Sequence, residues 1–227
     1  MIEQNITFSS IISSSSRIQF LQQNVDKNGN KMHTCLQIGL ELNIDFVVFQ
    51  EPFVNTNLIT TISHSAYYCI MPESEKIRPR VMIFARKNSR FQFCQKSNIC
   101  SDTDILIIDI NDFLNPDAEV IQLINIYNEK SLSENSNEWT VKRSLKKIIP
   151  NKNTIICGDF NSHHSWWNSA VSELDSRKAK GLVKWLKKFH FNLQNEPDIG
   201  TFHKSNLNRA SVIDLVFSTE NISQYMN

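Results

Sequence analysis

The chain is predicted to adopt an α+β fold in which two mostly antiparallel β-sheets pack face to face with helices outside, and three observations predict it. Short runs rich in Ile, Val and Phe recur at 17–23, 46–50, 81–86, 105–110, 120–127, 154–157 and 212–218, each with the composition and length of a strand. Stretches with helical spacing lie between them without strict alternation, which argues against a doubly wound parallel sheet. Only five glycines are present, none in a phosphate-cradling loop of either familiar type, so a nucleotide-binding fold is disfavoured.

The elements follow in order. Residues 1–16, ending in four serines, are low in complexity and are expected to form a disordered lead-in, with the folded domain spanning 17–227. The first run closes on Asn24. Met32, Cys35, Leu36 and Leu40 then line one face of a helix before Asn43. The run 46–50 ends on Glu51, and Arg78 and Arg80 flank Pro79 just before 81–86. The run 120–127 closes on Tyr127 and Asn128. Trp139, Leu145 and Ile148 mark a second helix stopped by Pro150, and 154–157 leads into Gly158-Asp159-Phe160-Asn161. Leu174, Leu182, Trp185, Leu186 and Phe189 stripe a longer helix, whose Lys180, Lys184, Lys187 and Lys188 form its solvated face. The last run carries Asp214 inside it, where an ionised carboxylate is costly without a partner.

Composition narrows the function. A hydrophobic content of 41% over 227 residues is enough for one substantial core, hence one domain. Basic and acidic residues number 24 and 23, a net charge of +1, so any nucleic-acid binding must rest on a local patch. Cysteines 35, 69, 94, 100 and 157 show no CxxC pair and no zinc spacing; they are expected as reduced, buried thiols. The sequence has neither a signal-peptide pattern nor eighteen consecutive apolar residues, so an intracellular protein without membrane association is expected. The sequons at Asn5 and Asn221 are read as chance matches.

Polar groups interrupt the apolar runs at particular places. Asn24, Glu51, Tyr127 with Asn128, and Asp159 with Asn161 each follow a strand run, and strands sharing a direction would gather them on one rim. The donors are hard oxygens, which suit Mg²⁺ or Mn²⁺ better than zinc. Asp159 is placed to accept a proton from, or align, an attacking water, and Asn161 and Tyr127 to donate hydrogen bonds to a pentacoordinate phosphate. Adjacent His163 and His164 project differently and lack partners at zinc spacing, so they are read as holding the loop and the Trp166-Trp167 pair.

The runs Phe46-Val47-Val48-Phe49-Gln50-Glu51-Pro52, Ile124-Asn125-Ile126-Tyr127, Gly158-Asp159-Phe160-Asn161-Ser162-His163-His164 and Ser211-Val212-Ile213-Asp214-Leu215 resemble the successive motifs of the endonuclease/exonuclease/phosphatase superfamily. The closest resemblance is to the apurinic-type endonuclease domain of non-LTR retrotransposons, and it extends from about Arg17 to the last residue. It implies a DNase I-like, four-layer α/β-sandwich and a Mg²⁺-dependent DNA endonuclease (Mn²⁺ as substitute) that nicks target DNA. A fused or downstream reverse transcriptase and a nuclear location are implied with it. By the same resemblance Asn24 and Glu51 bind metal, Asp159 and Asn161 position water and transition state, and Tyr127 touches the scissile phosphate. Asn128, Thr201, Ser211 and Arg80 contact phosphates, and Asp214 orients a catalytic histidine. In the family that histidine lies in a Ser-Asp-His motif one strand further on, so the domain 17–227 is expected to lack that strand. Two other readings stand beside this one: a phosphatase or phosphodiesterase acting on phosphoinositide, sphingomyelin or nucleotide, and an inactive DNA-binding remnant.

Overall fold

The computed structural model describes residues 7–13, 16–55, 57–73, 77–129, 138–202 and 210–226. Its strands are β1 (Thr7–Ser13), β2 (Ser16–Asn24), β3 (Phe46–Gln50), β4 (Tyr67–Ile70), β5 (Val81–Arg86), β6 (Phe91–Gln95), β7 (Ile105–Asp112), β8 (Ile121–Tyr127), β9 (Thr154–Asp159), β10 (Phe191–Leu193) and β11 (Asp214–Thr219). The helices are α1 (Gly29–Glu41), α2 (Thr140–Arg143), α3 (Glu173–Lys188) and α4 (Glu220–Ser223), with a 3₁₀ turn at Leu145–Lys147.

One sheet has the order β1-β2-β3-β5-β4 and the other β10-β11-β9-β8-β7-β6. Two pairings are parallel, β2 with β3 and β8 with β9; the rest are antiparallel. The expected two-sheet architecture is what the chain adopts.

Side-chain alternation builds three apolar layers between four structural ones. On β3, Phe46 and Val48 point into the core between the sheets, against Ile108, Leu123, Ile155 and Val216. Val47 and Phe49 point the other way, onto Leu36, Met32 and Cys35 of α1. On β9, Ile155 and Cys157 face inward while Ile156 packs under Leu182, Trp185 and Leu186 of α3. Strands buried on both faces read as continuous apolar runs, which is why β3, β5, β8 and β9 stand out in the sequence.

Between the sheets lies a short chain of buried amides. Gln50 donates to Asn125 Oδ1 at 2.7 Å, and Asn125 donates to the carbonyls of Phe49 and Met82, each at 3.0 Å. These bonds satisfy polar groups that would otherwise be costly and pin β3 against β8 one residue short of Glu51. Gly158 serves the same alignment: a Cβ there would sit 1.9 Å from the Ile126 carbonyl oxygen, and its φ is +152°, so only glycine lets β8 and β9 run together into the rim.

Several expectations are corrected. The lead-in is not disordered over Thr7–Ser13, which pairs antiparallel with β2 across the whole strand; Thr7, Phe8, Ile11 and Ile12 supply enough β-propensity among the serines. Cys35 and Cys157 are buried, but Cys69 and Cys94 are exposed and Cys100 is half-buried, because β4 and β6 lie at sheet margins. The helix expected around Trp139–Ile148 breaks at Ser144, whose hydroxyl bonds to Asp102 while Arg143 grips the same carboxylate at 2.6 and 2.9 Å. Leu174 is 69% exposed at the start of α3 and outside its apolar stripe.

Candidate active site

The register of the parallel pairs places the expected residues. Asn24 lies opposite Gln50, so Glu51 follows at the same level, and Tyr127 lies opposite Asp159. Antiparallel β11 sets Asp214 against Asp159 from the other side. The two sheets therefore present their strand ends at one rim, and one side chain joins them: Asn24 Nδ2 donates to Asp159 Oδ2 at 3.0 Å and to Glu51 Oε2 at 3.4 Å.

The backbone at this rim is unusual. Asp26, Lys27, Glu51 and Asn161 have φ of +48°, +58°, +45° and +43°, conformations that side chains other than glycine adopt at a cost of about 1 kcal/mol or more each. Hydrogen bonds hold them there: Val25 N to Gln50 O at 3.0 Å, Lys27 N to Glu51 O at 2.7 Å, and Glu51 N to Arg80 O at 2.9 Å. Asn161 N donates to Asp159 Oδ1 at 2.9 Å, which fixes the carboxylate, and the Lys27 ammonium sits 2.9 Å from Glu51 Oε1.

Tyr127 is 6% exposed and braced from behind. The Arg80 guanidinium lies 5.1 Å from its ring centre, Thr140 donates to its carbonyl at 2.8 Å, and its N–H donates to the Asp104 carbonyl at 3.0 Å. Burial, then the charges of Glu51, Asp159 and Glu129, and a hydrogen bond to Glu51 push its hydroxyl far above the ordinary phenol range. Tyr127 is therefore a neutral donor at any working pH. Behind it Asp104, 1% exposed, takes Arg80 Nε at 2.6 Å and also binds Arg80 Nη2 and Arg143 Nη2.

Asp159 and Asp214 share one buried corner. Burial pushes Asp159 up to about 6, against the hydrogen bonds from Asn161 and Asn24, with the Glu51 and Glu129 charges adding to the rise. Burial, then the Asp159 charge, pushes Asp214 up to about 8, and its Oδ1 has no hydrogen-bond partner among the described residues. The unfolded carboxyl titrates near ~3.9, so from about pH 4 to 8 the native state binds more protons than the unfolded state. Stability contributed by this group is thus lost as pH rises through that window. Asp214→Asn is expected to flatten the loss and raise stability at pH 8 by ~2 kcal/mol, the scale of one unsatisfied buried polar group; thermal melts at pH 5 and pH 8 check it, and equal pH slopes in both proteins would contradict it.

Other sequence-expected residues serve the site indirectly. Asn128 is buried, with its amide engaged by Phe160 O at 2.7 Å, Ser162 Oγ at 3.2 Å and Val141 N at 3.0 Å. These bonds shape the loop after Asp159. The Thr201 hydroxyl accepts from Ile213 N and Asp214 N at 3.1 and 3.0 Å and lies 3.4 Å from Ser211 O, so it positions Asp214. Ser211 joins Phe202 through backbone bonds. Arg80, 6% exposed, has its fork on Asp104 and lies over the Tyr127 ring. Asn161 projects a half-buried side chain that bonds to no described residue. His164 accepts from Trp166 N at 3.0 Å and rests 5.3 Å from the Trp167 ring, the structural role expected of it.

Sequence reasoning missed Lys27, Asp102, Asp104 and Arg143, which have no local pattern. Gln50 and Asn125 did leave a signal, as polar residues inside apolar runs.

The cluster fits a divalent cation through the chemistry of its donors. Two carboxylates from different sheets converge on one amide nitrogen, and the second oxygen of Glu51 holds an ammonium; N–H groups supply the positive charge that such a pair requires. The Asn24 amide oxygen accepts from Asp26 N at 3.0 Å, so ligation through it requires the amide to turn over. Among the described residues no three His, Cys, Asp or Glu side chains group as a metal site.

Comparison with known proteins agrees with this geometry. The family model described as endonuclease-reverse transcriptase matches residues 121–227, the segment from β8 through Asp159 to β11. No curated protein sequence matches the chain. Among solved structures, the endonuclease domain of TRAS1, a telomere-specific non-LTR retrotransposon, is similar at 18% identity, TM-score 0.67, covering 90% of this chain and 86% of that one. An AP endonuclease from Leishmania major is similar at 13% identity, TM-score 0.66, covering 94% and 82%. The Xenopus laevis APE2 catalytic domain is similar at 14% identity, TM-score 0.63, covering 91% and 83%. The chain thus has the fold of the endonuclease/exonuclease/phosphatase superfamily, and its residues 121–227 match the endonuclease-reverse transcriptase family.

Proposed function

We propose that this chain is a Mg²⁺-dependent DNA endonuclease that hydrolyses phosphodiester bonds, of the kind that nicks target DNA for a non-LTR retrotransposon. The observation that carries the reading is the junction at Asn24, where Glu51 of one sheet and Asp159 of the other meet beneath the Tyr127 hydroxyl. The similarity to the TRAS1 endonuclease domain and to a zebrafish TDP2 titled as complexed with single-strand DNA product (13% identity, TM-score 0.54) supports a DNA substrate. A reverse transcriptase acting with the chain and a nuclear location belong to the same proposal.

Asp159, aligned by Asn161 N, accepts the proton of the water that attacks phosphorus. Asn161 and the neutral Tyr127 hydroxyl donate to the non-bridging oxygens of the transition state. Glu51 and the Asn24 amide hold Mg²⁺, with Mn²⁺ as substitute, and the chemistry it supplies is charge stabilisation at the phosphoryl and departing oxygens. Asp214, set by Thr201, keeps the Asp159 corner in place.

A substrate panel tests this: supercoiled plasmid, a duplex with an abasic site, soluble phosphomonoesters and phosphoinositide. Nicking of DNA with turnover of the soluble esters at least about 10²-fold slower is expected; turnover of lipid or soluble phosphates alone would refute it. Glu51→Gln is expected to raise the Mg²⁺ concentration for half-maximal nicking by about tenfold, one lost charged ligand contact, and an unchanged Mg²⁺ titration would remove Glu51 from the ligand set.

A further inference from the structure

Beside Glu51 the rim opens into a cavity of about 250 Å³, lined by Lys27 and Arg78 with Glu51, Arg80, Tyr127 and Glu129. It adjoins the reacting centre, since Glu51 and Tyr127 belong to both. Its volume is below the usual range for a whole small-molecule ligand, roughly 300–1,000 Å³, which suits one phosphate group with part of a sugar.

The charges select the ligand. Arg80 is neutralised by Asp104, and Glu51 is taken up by the reacting centre. Lys27 is paired with Glu51 at 2.9 Å; when Glu51 is engaged at the reacting centre, Lys27 and Arg78 stand against Glu129, an excess of one positive charge that matches one phosphodiester. Arg78 is anchored by its Nη2 bond to Pro52 O at 2.8 Å, which orients the guanidinium and leaves donors for a bidentate grip. Lys27 is 52% exposed along its side chain, and its backbone N–H is tied to Glu51 O at 2.7 Å, so its base is fixed while the ammonium can pivot on a flexible stem. Two consecutive left-handed residues, Asp26 and Lys27, place that stem between Glu51 and the cavity.

We infer that this cavity is the subsite for the DNA phosphate adjoining the scissile one, gripped by Lys27 and Arg78, with Lys27 exchanging Glu51 for that phosphate as substrate binds. This rests on the reading of the site as a phosphodiesterase. Lys27 is then a binding residue whose contact with Glu51 holds the carboxylate in place until DNA arrives.

The experiment uses the full chain carrying Asp159→Asn, so that duplex is bound without being cut, with and without Lys27→Met or Arg78→Gln. Each duplex in a series has one backbone phosphate replaced by an uncharged methylphosphonate. Neutralising one flanking phosphate is expected to weaken binding about tenfold when Lys27 and Arg78 are present, the size of one charge-assisted contact. Lys27→Met should weaken binding of the unmodified duplex by a similar factor and reduce the sensitivity at that position alone, while Lys27→Arg retains it. A Lys27→Met protein that loses affinity equally for every duplex and keeps the same position profile overturns the subsite, as does one with unchanged affinity. Wild-type chain that neither binds nor cuts duplex overturns the underlying reading and the subsite with it.

Discussion

Asp159→Ala is expected to lower DNA nicking by at least about 10³-fold while leaving the fold intact. Among the described residues this carboxylate alone accepts from both the Asn24 amide and the Asn161 N–H. A positioned general base contributes about 10² to 10⁴ in rate, and loss of the Asn24 contact also loosens Glu51. The fold is retained because β9 is held by its backbone ladders to β8 and β11 and by Phe160 N to Ile213 O at 2.8 Å. Removing a carboxylate that burial already disfavours, beside Asp214, relieves repulsion. Plasmid nicking measures the first effect and thermal melting the second; cleavage within about tenfold of wild type would remove Asp159 from the reaction.

Asp104→Ala is expected to be the most damaging change to stability outside the apolar core, at about 3–5 kcal/mol, because it takes the buried carboxylate partner from Arg80 and one of two carboxylates from Arg143, which keeps Asp102. Thr140 Oγ1 loses an acceptor at 3.3 Å as well. For a domain of this size that loss lowers the melting temperature by roughly 10 °C. Nicking should fall too, since Arg80 stacks on Tyr127 and Thr140 holds its carbonyl. A drop under about 2 °C would show the network to be solvated, contrary to its burial.

The sequence disclosed most about strands whose two faces are both covered. Phe46–Gln50 and Thr154–Asp159 are buried at every position, so composition alone marks them, and polar residues at their ends stand out. Tyr67–Ile70, Phe91–Gln95 and Phe191–Leu193 escaped notice because they are short and partly solvated, with mixed burial. Thr7–Ser13 escaped because serine-rich composition outweighed a pairing that only β2 supplies.

Gathering of Asn24, Glu51, Tyr127 and Asp159 was legible given parallel strands, because parallel neighbours end at one side of a sheet. What holds them was not. Arg143 reaches Asp102 and Asp104 from 41 and 39 residues away, a contact with no local period, and it overrode the helical spacing of Trp139, Leu145 and Ile148. Nor was it legible that hydrogen bonds to backbone and buried carboxylate engage Asn128, Thr201 and Arg80.

The central claim, a metal-dependent cut in DNA made through Glu51 and Asp159, is tested most directly by a time course of supercoiled plasmid with the wild-type chain and Asp159→Ala, in Mg²⁺ and in EDTA. Conversion to nicked circles is expected only with the wild-type chain and only in Mg²⁺. Nicking by the wild-type chain that persists in EDTA, or equal nicking by Asp159→Ala in Mg²⁺, would contradict it.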